Sequence, residues 1–371
     1  MTEMVVRKEF IIAIMNEAIL HRRTSLVLHA PFLDLDLVGL NLEGKGSVDF
    51  LVSEGAYARA SSSVLGKLPD PLDKEVPSFA DFREALHASL LLPPSNMQDL
   101  MREIHAMEEK RRHPSRFPRQ PCLALDTNLA YKRLFSRLTL SGDTCGVKDY
   151  DPGKVQLLLA ELVGMEVSER VRRKYTPQEI AILKRAFHSP QTLDGMANCL
   201  HKDGRRAMNA LSELTSIRGR YSVWDVAGGS WTDDKEARDG EILRSLGRHA
   251  KEESIDVLFL STDDKASASA ETARVPILVL RYPNEVPSRV PFDPWLVPEL
   301  VYDLALTYGV ISLKGLGLRL MGDWAGKTAD DFKAERVKVM AEENSGLVGA
   351  LVRDLRILDR LRIETDLAGL R

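Results

Sequence analysis

Five acidic side chains in the middle of the sequence carry its clearest chemical signal. Carboxylates that converge without a counter-charge repel one another, and a hard divalent cation removes that conflict. No His or Cys cluster accompanies these acids, and oxygen ligands alone favour Mg²⁺ or Mn²⁺ over Zn²⁺. An ion of this kind activates water and stabilises the charge on a phosphodiester during hydrolysis. The five acids are Asp126, Glu161, Asp239, Asp263 and Asp264.

Alternating strand and helix patterns place these acids at comparable points of the chain. Short apolar runs predict strands at residues 122–125, 155–159, 221–226, 255–260 and 275–280. Helical patterns lie between them, which indicates a mainly parallel sheet covered on both faces. Ligands of such sheets bind at the carboxyl ends of the strands, and each acid lies at a strand end or in the helix that follows it. We therefore expect an α/β fold with a central, mainly parallel five-stranded sheet and an acidic site at one edge.

Each acid also has a purely structural interpretation. Asp126 is placed to cap a helix, and Asp263 with Asp264 could do the same after the fourth strand. Glu161 and Asp239 lie near helix starts, where a negative charge complements the helix dipole. The case for a site is stronger than the case for any single acid, because all the structural interpretations would have to hold together at one sheet edge.

Short motifs around the acids resemble those of the PIN domain, a family with a metal-dependent nuclease fold. The sequence LALDTN at residues 123–128 resembles the opening strand of that family, which implies that Asp126 is the first acid. Asn128 matches the polar residue that helps to hold the metal site. The sequence LLLAEL at residues 157–162 resembles the segment that carries the second acid, which implies Glu161.

The later motifs follow in the order that the family has. The helix start at residues 237–243 resembles the third acidic segment and implies Asp239 as its acid. The sequence LSTDDK resembles the fourth segment, in which Asp264 best fits the threonine-x-aspartate pattern and Asp263 is a further candidate ligand. Thr262 would anchor this loop or bind near the phosphate. The resemblance covers somewhat under half of the chain.

The stretch between the second and third motifs is longer than a minimal PIN domain needs. A helical insertion at about residues 175–218 would account for the extra length. The second acid stays open among three residues of one predicted helix. Glu161 is nearest the strand end, and Glu166 and Glu169 lie further along the helix.

Two basic runs predict contacts with a polyanion, although the formal net charge of the chain is only −3. Arg111 and Arg112 belong to the first run, and Arg172, Arg173 and Lys174 belong to the second. Lys and Arg side chains that follow a nucleic-acid backbone make contacts that are independent of sequence and sensitive to salt. The runs therefore predict either a polyanion track or solvated helix faces, and the resemblance implies RNA, or another nucleic acid, as the partner.

Proline-rich linkers indicate two domain boundaries. We expect an N-terminal α/β region at 1–116, the PIN-like Rossmannoid domain at 117–283, and a C-terminal extension at 284–371 with helices and a hairpin. The apolar periodicity predicts a helix over residues 1–24. Ser and Pro residues predict a loop over residues 60–80.

Two helices are predicted within the C-terminal extension, at residues 329–342 and 346–363. Their apolar faces are either core or an oligomer surface. A homodimer through the N- or C-terminal extension is a candidate assembly.

Composition indicates a soluble protein of a reducing compartment. Apolar residues make up 44% of the chain and charged residues 28%, as in globular proteins. The apolar runs are far shorter than the roughly 20 residues that span a bilayer. The first residues also lack the features of a signal peptide. Three cysteines without paired spacing argue against a zinc site or a disulfide framework. We therefore expect a cytoplasmic protein that does not bind membranes.

The resemblance implies a Mg²⁺- or Mn²⁺-dependent nuclease, an endoribonuclease acting on single-stranded or structured RNA. The alternatives are a catalytically inactive PIN-like module that binds RNA or protein, and a DNA structure-selective nuclease with the same chemistry. A different Mg²⁺-dependent phosphohydrolase, one that forms an aspartyl-phosphate, needs a second Asp two residues after the first. Asn128 occupies that place, which counts against this class.

Overall fold

The computed structural model contains two compact units. The residues that it describes are 2–43, 46–113, 116, 119–138, 155–291, 293–341, 349–354 and 357. One unit comprises Met1–Phe82, Lys174–Lys202 and Val286–Arg371, and the other comprises Arg83–Arg173 and Asp203–Glu285. We call the first the antiparallel unit and the second the parallel unit, after the sheet that each contains.

The strands of the described residues fall into two sheets. In chain order they are β1 (Thr2–Arg7), β2 (Ser25–Ala30), β3 (Leu35–Asn41), β4 (Ser47–Leu51), β5 (Gln120–Leu125), β6 (Gln156–Ala160), β7 (Ser222–Val226), β8 (Ile255–Ser261), β9 (Ile277–Val279), β10 (Val290–Pro291), β11 (Val310–Lys314), β12 (Leu318–Met321) and β13 (Arg336–Ala341). The antiparallel unit holds a sheet in the order β1-β13-β12-β11-β2-β3-β4-β10. The parallel unit holds a sheet in the order β7-β6-β5-β8-β9, in which each neighbouring pair is parallel. The expected α/β fold with a parallel five-stranded sheet is therefore confirmed, and an antiparallel sheet accompanies it.

Helices connect most of these strands. In chain order they are α1 (Ile11–Leu20), α2 (Glu54–Leu65), α3 (Phe79–Ala88), α4 (Met97–Arg112), α5 (Thr127–Tyr131), α6 (Leu134–Leu138), α7 (Glu161–Glu169), α8 (Pro177–Ala186), α9 (Lys202–Arg220), α10 (Lys235–Glu252), α11 (Ala266–Ala273), α12 (Val297–Tyr308) and α13 (Ala329–Lys333). Within the described ranges, none of the helices combines the length and the apolar character that crossing a bilayer requires.

Continuous apolar runs, rather than alternating ones, form the centre of the parallel sheet. Every residue of β6 is buried, as is every residue of β5 except the first, whereas the edge strand β7 is mostly exposed. A strand that is covered on both faces has no polar face, which explains these uninterrupted apolar sequences. The register pairs Leu125 with Leu260, so β5 and β8 end side by side. Their carboxyl ends therefore bring Asp126 next to Ser261, the last residue of β8.

Some local predictions are wrong where pairing or packing overrides the sequence pattern. Residues 2–7, predicted to begin a helix, form the edge strand β1 and pair with β13. The predicted helix at 329–342 is instead the short helix α13 followed by β13. These two strands lie near opposite ends of the sequence, so no local pattern could reveal their pairing. Most of the helix predicted at 346–363 lies outside the described residues.

The predicted loop at 60–80 is also wrong at its start, because helix α2 extends into it. Three successive serines suggested a loop there. In the helix their hydroxyls donate to carbonyls three residues earlier, which lets serine remain helical. Tyr57 and Val64 supply the buried side of this helix.

The two units differ from the three regions that the sequence suggests. Strands from both ends of the chain share the antiparallel sheet, so the N-terminal region and the C-terminal extension contribute to one unit. The parallel unit begins earlier than residue 117, at Arg83. The expected helical insertion is divided, because Lys174–Lys202 belongs to the antiparallel unit and the rest of α9 to the parallel unit.

Candidate active site

Asp126 lies at the carboxyl end of β5, where the chain enters α5. It occupies the N-cap position, yet its side chain does not cap the helix. Its Oδ2 atom instead accepts hydrogen bonds from Ser261 Oγ at 2.6 Å and from Asn128 Nδ2 at 3.1 Å. Burial raises the pKa of Asp126, and the charge of Glu166 adds to the rise. The side chain is 7% exposed, so this carboxylate is a buried acid held by two neutral donors.

The loop after β8 is tied to Asp126 through Ser261. Ser261 donates to Asp126, and its Oγ also accepts a hydrogen bond from the Asp263 backbone amide at 3.0 Å. The Asp263 carboxylate accepts from the Lys265 amide at 2.9 Å and lies 4.0 Å from Lys235 Nζ. Asp263 is therefore linked to the Asp126 network through its backbone. Asp264 is exposed and Thr262 is partly exposed.

Asp239 is the second acid of the site with a perturbed pKa. It lies in the second turn of α10 and is partly buried. Burial raises the pKa of Asp239 to about 6, and the charges of Asp126 and Glu166 contribute to the rise. Lys235 and Arg238 oppose it. Asp239 and Asp126 are thus close enough to repel each other across the edge of the sheet.

Glu166 is the residue of α7 that the structure brings to Asp126. Glu161 and Glu169 are exposed, whereas Glu166 is 5% exposed. Glu166 Oε2 accepts from the hydroxyl of Thr127, the residue after Asp126, at 2.8 Å. The rotation of α7 determines this choice, because Leu162 and Glu166 share its buried side. Glu161, implied by the resemblance as the second acid, is not brought into this network.

Two arginines hold the other oxygen of Glu166. Its Oε1 atom lies 3.1 Å from Arg238 Nη2 and 3.4 Å from Arg170 Nη2. The Arg238 pair is buried, and the Arg170 side chain is 50% exposed. Glu166 is therefore neutralised by arginines of the protein itself.

Arg111 and Arg112 of the first basic run lie at the amino ends of the parallel strands, opposite to the acids. Burial raises the pKa of the Cys122 thiol to about 12, and the charge of Arg111 opposes the rise, so Arg111 lies near the start of β5. Arg112 pairs with Glu109 of its own helix at 2.6 Å. A strand advances about 3.3 Å per residue, so the two ends of β5 are roughly 17 Å apart. The structure does not bring Arg111 and Arg112 together with the acids.

The second basic run, residues 170–174, contributes one residue to the surroundings of the acids. Arg172, Arg173 and Lys174 are exposed, and Lys174 belongs to the antiparallel unit. Arg170, at the end of α7, is the member of this run that contacts Glu166. Its guanidinium also lies over the ring of Tyr131, 5.9 Å from the centroid.

Sequence reasoning missed three residues that organise the site. Ser261 is the last residue of an apolar strand, where a lone serine before the acidic loop was the available signal. Thr127 lies inside the DTN motif, between the two residues to which the resemblance assigns roles. Arg238 precedes Asp239 in the helix start, and only the fold shows that it is 7% exposed and paired with Glu166.

The donor chemistry of the site fits Mg²⁺ or Mn²⁺. Over the ranges that the structure describes, no group of three or more His, Cys, Asp or Glu side chains is arranged to hold a metal ion. Mg²⁺ commonly uses only one or two carboxylates, and waters and substrate phosphates complete its coordination. Asp126 and Asp239 offer such a pair, because both carry a raised pKa and repel each other in the absence of a cation. Asp263 is the next carboxylate along the same edge.

The chain matches none of the known protein-family models and none of the curated proteins. Its resemblance to the PIN domain therefore stays a prediction that rests on the motifs and on the acidic edge.

Proposed function

We propose that the parallel unit is a Mg²⁺- or Mn²⁺-dependent nuclease that hydrolyses phosphodiester bonds in RNA. One observation carries the proposal. Buried Asp126 and partly buried Asp239 lie within electrostatic reach of each other at the carboxyl edge of a parallel sheet, and the pKa of each is raised. Ligands bind at this edge in open α/β sheets, and two carboxylates that repel each other favour a divalent cation there.

In this proposal Asp126 and Asp239 hold the ion. A divalent ion bound to such oxygens supplies a Lewis acid that activates water and stabilises the negative charge of the reacting phosphate. Ser261 and Asn128 fix the orientation of the Asp126 carboxylate through their two hydrogen bonds. Arg170 is half exposed and adds a positive charge beside the acids, which would attract the substrate backbone.

Cleavage of a labelled RNA by the purified chain tests the proposal. We expect cleavage with Mn²⁺ and no cleavage with chelator. D126N should cleave about 100-fold more slowly, since mutation of residues that only support a metal ligand already lowers metal affinity or activity 10–100-fold. D256N is the matched control, because Asp256 lies at the start of β8 and pairs on the surface with Arg119 at 3.7 Å. Full metal-dependent cleavage by D126N would refute the assignment. Parallel reactions with flap and hairpin DNA test the structure-selective alternative.

A catalytically inactive binding module is the second candidate, and one observation favours it. Arg238 and Arg170 already supply positive charge at Glu166, within the acidic cluster. Such internal cations can stabilise a cluster of acids without a metal ion. Calorimetric titration with Mn²⁺ separates the two functions: binding heat that D239N abolishes supports the nuclease, and the absence of heat supports the binding module.

The proposed enzyme would act in the cytoplasm, because three cysteines without paired spacing are typical of a reducing compartment. Dimerisation through the terminal regions stays a prediction, and light scattering of the purified chain tests it.

A further inference from the structure

Trp231 lies in the loop between β7 and α10, at the carboxyl edge of the parallel sheet. Gly228 and Gly229 open this loop with φ angles of +104° and +99°, which glycine adopts without strain. A Cβ atom on Gly229 would lie 2.6 Å from Leu162 Cδ1, so the loop packs directly against α7. The loop is therefore anchored to the helix that carries Glu166.

Arg238 fixes the ring of Trp231 from one face. Its guanidinium carbon lies over the indole, 4.8 Å from the ring centroid. The guanidinium itself is held by the Thr232 carbonyl at 2.9 Å and by Glu166 at 3.1 Å. Trp231 nevertheless remains partly exposed. The molecule thus holds a large aromatic ring in place, beside the acids, with part of its surface open to solvent.

We propose that Trp231 is a stacking position for a nucleobase of single-stranded nucleic acid. The choice of a nucleic acid rests on the proposed function. Aromatic side chains bind bases of any sequence through their π-faces. Arg238 orients Trp231, and Arg170, which shares Glu166 Oε1 with Arg238, is placed to pair with a neighbouring phosphate. Stacking at Trp231 would bring the adjoining phosphodiester towards Asp126 and Asp239.

Binding in chelator, where the proposed cleavage is silent, tests the stacking position. The probes are a fluorescein-labelled, unstructured oligoribonucleotide and an abasic oligomer with the same sugar-phosphate backbone. Fluorescence anisotropy should show W231A binding the oligoribonucleotide about tenfold more weakly than the unmodified chain, near the low end of the effect of losing one stacked base. W231F should keep most of the affinity, and the abasic oligomer should bind W231A and the unmodified chain equally.

W224A is the matched control, because Trp224 lies in the neighbouring edge strand β7 and is 37% exposed. Equal losses for W231A and W224A, or an equal loss on the abasic oligomer, would overturn the proposal. If W231A does not fold, W231L keeps an apolar side chain without a π-face and should show the same tenfold loss.

The outcome is separable from that of the nuclease proposal. If the unmodified chain cleaves RNA and W231A binds the oligoribonucleotide as tightly as the unmodified chain does, the nuclease proposal stands and the stacking position is rejected. If the unmodified chain does not cleave RNA but W231A binds the oligoribonucleotide more weakly than the unmodified chain does, the stacking position stands and the nuclease proposal is rejected.

Discussion

Replacing Asp239 by Asn should stabilise the metal-free protein at neutral pH. Burial, followed by the charge of Asp126, raises the pKa of Asp239 from 3.8 to about 6. A carboxylic acid with a higher pKa in the folded state costs stability once it ionises, at about 1.36 kcal/mol per pKa unit. The difference between the two pKa values sets an upper limit of about 3 kcal/mol on the stability that D239N can gain. Because the side chain is partly exposed and solvent screens its charge, we expect a gain of about 1–2 kcal/mol for D239N at pH 7.

The pH dependence has a definite sign. Well below pH 3.8 the carboxyl of Asp239 is protonated in both the folded and the unfolded state, so the wild-type protein and D239N differ little in stability. As the pH rises towards about 6, the unfolded chain releases the proton first, and the free energy of unfolding of the wild-type protein falls. D239N lacks this fall, so the difference between the two proteins should open across that window and then stay constant.

Urea unfolding followed by circular dichroism in chelator measures the effect. D256N again serves as the control, and it should be no more stable than the wild type, because Asp256 is a partly exposed ion-pair partner of Arg119 and Lys110. Adding Mn²⁺ should then stabilise the wild type by about 2.7 kcal/mol at 100 times the dissociation constant, and D239N much less. A D239N protein that is less stable than the wild type at pH 7 in chelator would refute the reasoning, since Asp239 would then be a satisfied rather than a repelled acid.

Two further predictions concern the Glu84–Lys132 ion pair and the loop that begins at Gly228 and Gly229. E84Q should lower the free energy of unfolding by about 2–3 kcal/mol, because Lys132, 6% exposed, donates to Glu84 at 2.7 Å and would lose its counter-charge. Urea midpoints test this, and the double variant E84Q/K132M should recover part of the loss; equal costs for the single and double variants would contradict it. G229A should cost about 1–3 kcal/mol and weaken oligoribonucleotide binding, because a Cβ there meets Leu162 at a φ of +99°. The same alanine change at Gly164, inside α7 with open space around it, should raise the free energy of unfolding by about 0.5–1 kcal/mol and leave oligoribonucleotide binding unchanged.

The strands of the parallel sheet could be predicted because burial on both faces leaves a simple local signature. The runs at β5, β6 and β8 are short and apolar, and turns or acids follow them. The position of Asp126 follows from the same signature, since it is the first polar residue after β5. The helix start at Thr176 could also be predicted, because the capping box with Glu179 is a local interaction.

The acid of α7 that lies beside Asp126 could not be predicted, because its identity depends on how the helix is rotated against the sheet. Glu161 is nearest the end of β6 in sequence, yet five residues along α7 the chain presents Glu166 to its buried side. Likewise, the direction of β5 decides that Arg111 lies at the far edge from Asp126, although only fifteen positions separate them in the sequence. Sequence proximity and spatial proximity diverge wherever a strand lies between two residues.

Helix α10 links the two chemistries that we assign to this edge. Arg238 and Asp239 are adjacent, and neighbouring helical residues point about 100° apart. Arg238 consequently reaches Glu166 and the ring of Trp231, whereas Asp239 comes within range of the Asp126 charge. One turn of the helix therefore positions both Arg238, which orients the proposed base-stacking ring, and Asp239, an acid proposed to hold the metal ion. A small displacement of α10 would change both together, so base binding and ion binding should be energetically coupled through this turn.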